Sequence, residues 1–195
     1  MAISAQDIQK LRQSSGVGMM EAKKALAAAD GDLTKAMELL RKAGKKMAAA
    51  KSARVVKEGT IGTYVHADGK VGAMVALACE TDFVALTDDF KNLAHDLALH
   101  VAALSPQYLS PEDVPAELVA KEEDIYRAQL KTEGKPEAMW AKILPGKMAK
   151  FYGEVCLLEQ PFVKDDEITI RQLIEQTVVK IGENIKIINF SRLAV

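Results

Sequence analysis

An α+β fold, with an antiparallel sheet packed against helices, is what this chain of 195 residues predicts. Three features carry the prediction. Apolar residues fall at helical spacing up to about Lys42 and again from Thr87 onward. Val71, Ala73, Val75, Leu77 and Cys79 alternate with Gly72, Met74, Ala76 and Ala78, the two-residue period of a strand. Near the end, Ile185, Ile187, Phe190 and Leu193 supply a last strand-like run. Helices grouped around a hairpin and a late strand form an α+β layer.

The opening segment reads as a bundle of three short helices, from Ser4 to about Gln13, Gly18 to Ala29 and Asp32 to about Lys42. Ser4 with Asp7, and Asp32 before Leu33, offer side-chain oxygens to the free N–H groups of a first turn. Gly16, Gly31 and Gly44 end or connect helices. Each helix has one apolar stripe: Ile8 and Leu11; Ala22, Ala25, Leu26 and Ala29; Leu33, Ala36, Met37 and Leu40. The domain division that follows is a three-helix unit over 1–44, a basic linker over 45–57 and an α+β core over 58–195.

In the core, Gly59 to His66 and Val71 to Glu80 read as strands joined through Ala67-Asp68-Gly69-Lys70, where Asp-Gly signals a hairpin turn. Thr87, with Asp88 and Asp89 behind it, starts a helix whose Phe90, Leu93, Ala94, Leu97, Val101 and Leu104 face one way; Ser105-Pro106 stops it. A helical hairpin over about 116–158 follows, built from Ala116 to Thr132 and from a second arm that Pro145 splits into Pro136 to about Ile143 and Gly146 to about Leu158. Leu118, Ile125, Leu130, Met139, Trp140, Ile143 and Met148 are expected to line the contact between its arms. Thr169 and Gln172 form a capping box for a helix from Ile170 to Ile181, which Gly182 terminates.

Composition narrows the function. An apolar content of 49% is that of a globular chain, and no apolar run approaches the roughly 20 residues that span a bilayer. The start, Met1-Ala2-Ile3-Ser4-Ala5-Gln6-Asp7, lacks the charged and then apolar pattern of a secretion signal, so a cytoplasmic protein is expected. Cys79 and Cys156 lack metal-type spacing and are expected to be buried thiols. A net charge of −1 argues against wholesale nucleic-acid binding. Charge is nevertheless uneven: Arg41, Lys42, Lys45, Lys46, Lys51, Arg54 and Lys57 occur with no acidic residue among them. That run reads as a solvated linker or a helix continuation, with contact to RNA as the alternative.

No catalytic constellation is present in the sequence. Phosphate-cradling Gly-x-x-x-x-Gly-Lys-Ser/Thr, His-Glu-x-x-His and Cys-x-x-Cys patterns are all missing. His95 and His100 would sit about 140° apart on one helix, too far round to share a metal, and are expected at the surface or partly buried. Glu80, Asp82, Asp88 and Asp89 cluster in sequence, but acidic residues at a helix start are accounted for by capping and the helix dipole. No enzyme activity, cofactor or metal is therefore expected.

Two features look like docking chemistry. Cys79-Glu80-Thr81-Asp82-Phe83-Val84-Ala85 sets a carboxylate beside an aromatic ring where an apolar strand stops. On such a connection Phe83 either points outward from a rigid base or folds back as the first core residue of the next helix, and spacing alone does not decide between them. Met19 and Met20 follow a glycine turn, and two consecutive helical residues cannot both face one core. With Arg12 they read as an adaptable docking patch, thioethers being unbranched and polarizable.

These segments also carry a resemblance. Thr81-Asp82-Phe83-Val84-Ala85 is similar to the signature of the bacterial elongation factor Ts family, nucleotide-exchange partners of the translational GTPase elongation factor Tu. Leu11-Arg12 with Gly16-Val17-Gly18-Met19-Met20-Glu21-Ala22-Lys23-Lys24-Ala25-Leu26, Gly153 to Val163, and Ile181-Gly182-Glu183-Asn184-Ile185 resemble further blocks of the family, in its order and over nearly the whole chain. The resemblance implies a ubiquitin-associated type of bundle at the N-terminus, one sheet module where long members carry two, and pairing as a homodimer. It implies that Phe83 wedges into the GTPase near its magnesium site, with Thr81, Asp82 and Val84 around it. Arg12, Met19 and Met20 would touch the GTPase domain. The residue after Ala85, commonly basic in the family, is Leu86 here, so a salt bridge from that position lacks its donor.

Overall fold

The computed structural model describes residues 4–195. Met1-Ala2-Ile3, read above as part of a start without a secretion signal, lies outside the described residues. Helices α1 (Ala5–Ser15), α2 (Met19–Ala28) and α3 (Leu33–Lys51) come first. The Ser4 hydroxyl oxygen accepts from the Asp7 N–H, and the Asp32 carboxylate accepts from the Thr34 and Lys35 N–H groups, as the capping chemistry predicts. Leu11, Val17, Ala22, Ala25, Leu26, Ala29 and Ala36 form a small core among the three helices.

The third helix does not stop near Lys42. It runs unbroken past Gly44 and through the first half of the expected linker to Lys51, because Lys45-Lys46-Met47-Ala48-Ala49-Ala50 are good helix formers and no proline precedes Ser52. Gly44 is a contact residue instead of a terminator: a Cβ there would lie 3.2 Å from Val179 Cγ2 of the later helix α8 (Ile170–Ile181). Beside this seam a cleft of about 420 Å³ opens, lined among others by Arg41, Lys45, Asp165 and Glu167.

Strands β1 (Glu58–Val65) and β2 (Val71–Cys79) form the expected hairpin, its turn held by the Lys70 N–H donating to Asp68 Oδ1 at 3.0 Å. A late strand, Lys186–Ala194, pairs antiparallel with β2 on its other side, giving a three-stranded sheet with β2 in the centre. The helix Asp88–Leu104 lies across one face; Gly62 allows the approach, since a Cβ there would meet the Ala94 carbonyl at 2.0 Å. Val75, Leu77, Phe90, Leu97, Val101 and Ile170 are fully buried between the layers, each such side chain contributing about 1.5–3 kcal/mol of transfer free energy.

In chain order these are α4 (Asp82–Ala85), α5 (Asp88–Leu104), α6 (Ala116–Thr132), α7 (Glu137–Val155), β3 (Pro161–Phe162), β4 (Asp165–Thr169), α8 and β5 (Lys186–Ala194). Pro145 does not divide α7: it is exposed, and the carbonyl of Ala141, which loses its donor, is on an exposed residue that water can reach. The helix ends at Val155, short of Leu158, because the chain there turns to pair with the segment around Tyr108, the Leu157 N–H donating to the Tyr108 carbonyl. Between α6 and α7, Leu130 and Met148 are buried as expected, whereas Ile125 and Met139 remain exposed because two crossing helices cover only one stripe each. The β3–β4 ribbon is too short to leave a period in the sequence. Thr169 closes it and forms the predicted reciprocal cap with Gln172.

In β5 a bulge opposite Ala76 and Leu77 lets both Ile187 and Phe190 reach the covered face, and it turns Leu193 to the open one. That open face carries exposed Ile61, Val65, Met74 and Leu193. Among the described residues no helix is long and apolar enough to cross a membrane.

Candidate functional site

The chain leaves β2 through buried Cys79 and enters a single helical turn. Thr81 caps it, its hydroxyl oxygen receiving the Val84 N–H at 3.5 Å, while the Leu86 N–H donates to the Asp82 carbonyl at 3.1 Å. Ala85 is buried and Val84 packs against the sheet core. Phe83, two residues before Ala85 and therefore about 200° round the turn, points the other way. It is 79% exposed, which decides the question that spacing left open. Asp82 Oδ1 accepts from the Phe83 N–H at 2.9 Å, so the carboxylate sits at the N-terminal end of the turn, where the dipole favours it.

The turn is held from behind by residues that carried no assigned role in the sequence. Glu183 Oε2 accepts from both the Glu80 and Thr81 N–H groups at 3.1 Å, and its Oε1 accepts from the Thr81 hydroxyl at 2.7 Å. Glu80 in turn accepts from the Asn184 N–H at 2.6 Å and pairs with Arg54 at 3.5 Å. The buried Asn184 amide donates to the Ser52 and Arg54 carbonyls, and the Lys51 ammonium donates to the Gly182 carbonyl. A signal was available: Glu183-Asn184 directly follows the helix terminator Gly182. Nothing in the sequence, however, indicates which distant backbone such a pair will serve.

Other groups complete the surroundings. The Cys79 thiol donates to the Thr81 carbonyl at 3.2 Å; burial first, then the nearby Glu183 carboxylate, pushes its pKa up, so it stays a thiol. Cys156 is also buried and free, its pKa raised by burial to about 11. Asp89 pairs with Lys180 at 2.7 Å, and among the described residues no three His, Cys, Asp or Glu side chains converge on a metal-sized space.

The bundle presents the second patch. Met19 and Met20 at the start of α2 are 49% and 66% exposed, and Arg12 near the end of α1 is exposed too. Of the basic run, Arg41, Lys42, Lys45 and Lys46 project from α3, but Lys51 and Arg54 are engaged in the junction behind Phe83, so that part is a buttress and not a solvated linker. His100 departs from its expected surface or partly buried position. It is fully buried: its Nε2 faces Gln160 Oε1 at 3.0 Å and its Nδ1 accepts from the Val163 N–H at 3.2 Å. Both ring nitrogens are satisfied internally, which removes the cost of burying them.

An exposed ring on a braced turn and a second exposed apolar patch are the kind of surface that protein-docking factors present. Comparison with known proteins sharpens that class. The family model for Elongation factor TS matches residues 4–195. The chain is 51% identical to the elongation factor Ts of Fervidobacterium nodosum over 195 residues, covering 100% of this chain and 99% of that one. It is 49% identical to that of Solibacter usitatus over 193 residues (99% and 91%) and 48% identical to that of Pseudothermotoga lettingae over 195 residues (100% and 98%). The chain belongs to the elongation factor Ts family, the nucleotide-exchange factors of translation elongation.

Proposed function

We propose that the chain accelerates GDP release from elongation factor Tu by inserting Phe83 beside the magnesium and phosphate site of that GTPase, with Thr81, Asp82 and Val84 forming the rim of the contact. The exposure of Phe83 on a turn whose Ala85 is buried and whose Val84 packs against the core is the observation that carries this reading. Magnitudes set a limit on the ring. Burying it contributes about 1.5–3 kcal/mol, whereas a thousandfold faster release needs about 4 kcal/mol off the barrier. Docking elsewhere must supply the difference, and Arg12, Met19 and Met20 are the surface for it. The bundle, taken as a ubiquitin-associated type of unit over 1–44, then acts as the grip, with 45–57 as the connector and 58–195 as the core that holds the wedge.

The open sheet face supports pairing of two copies, since Ile61, Val65, Met74 and Leu193 would otherwise leave an apolar surface in water. Exchange itself is tested by linkage. Whatever factor the protein applies to the affinity of the GTPase for GDP, GDP must apply to the affinity for the protein. Calorimetric titration of elongation factor Tu with the protein, at rising GDP, is expected to show affinity falling in proportion as GDP saturates its site. Affinity independent of GDP would refute displacement of the nucleotide by the bound protein.

A further inference from the structure

We infer that Glu183 and Asn184 are positioning residues for exchange: they fix the Thr81–Phe83 turn in its presenting geometry and tie it to the end of α3. The inference rests on the wedge reading of Phe83 and adds to it the device that keeps the ring from yielding when it meets the partner. Helix α4 has only four residues, far too few to be stable by itself. Its conformation must be imposed. The Glu80 and Thr81 N–H groups stand at its entrance, and both donate to one carboxylate oxygen of Glu183, while the other oxygen takes the Thr81 hydroxyl. Bonds to an ionised acceptor are the strong class, and three of them converge on the two residues that lead into Asp82 and Phe83.

Asn184 extends the same device across the molecule. Its side chain is buried and clamps the Ser52 and Arg54 carbonyls, and its backbone N–H holds Glu80. Gly182, at φ 89°, ends α8 in the left-handed conformation that directs Glu183 toward the turn, and Lys51 at the end of α3 donates to the Gly182 carbonyl. Three segments far apart in sequence, 51–54, 80–81 and 182–184, thereby close into one polar junction. Load taken up by the bundle reaches the ring through α3 and this junction and not through a loose linker. Both oxygens of Glu183 are already engaged and Asn184 is buried, so the pair acts through the turn.

The test measures GDP release from elongation factor Tu against factor concentration for the wild type, Phe83→Ala, Glu183→Ala and the double variant. Glu183→Ala is expected to lower the plateau rate about tenfold or more, since misplacing a working group by about an ångström costs up to about a hundredfold. The half-saturating concentration should stay within about twofold, and the double variant should be no slower than Phe83→Ala alone. A wild-type plateau for Glu183→Ala beside a slow Phe83→Ala overturns the positioning role and leaves the wedge standing. A full-speed Phe83→Ala overturns the wedge and the positioning role with it. A double variant slowed by the product of the two single effects shows Glu183 acting independently of the ring and also overturns the inference. Should the alanine variant not fold, Glu183→Asp decides the matter: it keeps the charge and withdraws the oxygens by one methylene, so a lowered plateau supports positioning and an unchanged one overturns it.

Discussion

Phe83 and the Met19–Met20 pair are both exposed apolar groups, yet they are built in opposite ways. The ring has two side-chain torsions and stands on a turn fixed at Thr81 by a carboxylate from a distant segment. The methionines are long and unbranched, and they sit on the first turn of a helix in a small bundle whose buried side chains are mostly alanine. A stiff group on a stiff mount transmits force; a compliant group on a small unit adapts to a surface. In the proposed function the first displaces and the second adheres.

The largest effect expected is on the ring. Phe83→Ala should lower the plateau rate of GDP release by about ten- to hundredfold, the equivalent of about 1.5–3 kcal/mol, while binding to nucleotide-free elongation factor Tu changes little; stopped-flow fluorescence of a labelled GDP gives the rate. Next comes the grip. Met19→Ala combined with Met20→Ala should raise the half-saturating concentration about tenfold, about 1.4 kcal/mol of docking energy, with the plateau retained. If it lowered the plateau instead, the two patches would not differ in kind.

A third prediction separates the core from the bundle by pH. Burial lowers the folded-state pKa of His100 from its ordinary 6.5, and only the neutral ring can accept the Val163 N–H. The unfolded chain therefore binds the proton more readily. The stability this gives is fully present above about pH 6.5 and is lost as pH falls through the lowered folded value, with a slope of at most about 1.4 kcal/mol per pH unit. Urea unfolding followed from pH 7.5 to 5 should show it in the wild type and much less in His100→Gln. The smallest effect is at Leu86, exposed and without a polar partner. Leu86→Lys restores the basic character common in the family at that position and should change release less than about threefold, since an exposed ion pair contributes at most about 1 kcal/mol.

Much of this was legible in the sequence because it is local. Ser4, Asp32 and Thr169 cap helices through neighbours three or fewer residues away, and the alternation of Val71 to Cys79 fixes which face of β2 is covered. What escaped reading depends on contacts between remote segments. Gly44 looks like a terminator until Val179 is seen against it, His100 looks like a surface or partly buried histidine until Gln160 and Val163 enclose it, and the even run of the last strand hides the bulge in β5 that turns Leu193 to the open face. The wedge shows the same division. Residues 81–84 announce themselves as a motif, but Glu183, which holds them, stands 102 residues from Thr81.

The central claim, that the ring displaces while the methionines hold, is tested most directly by one paired titration. GDP release is recorded against factor concentration for Phe83→Ala and for Met19→Ala with Met20→Ala under identical conditions. The account predicts that the first lowers the plateau and keeps the midpoint, and that the second shifts the midpoint and keeps the plateau. A Phe83→Ala curve that reaches the wild-type plateau would contradict it.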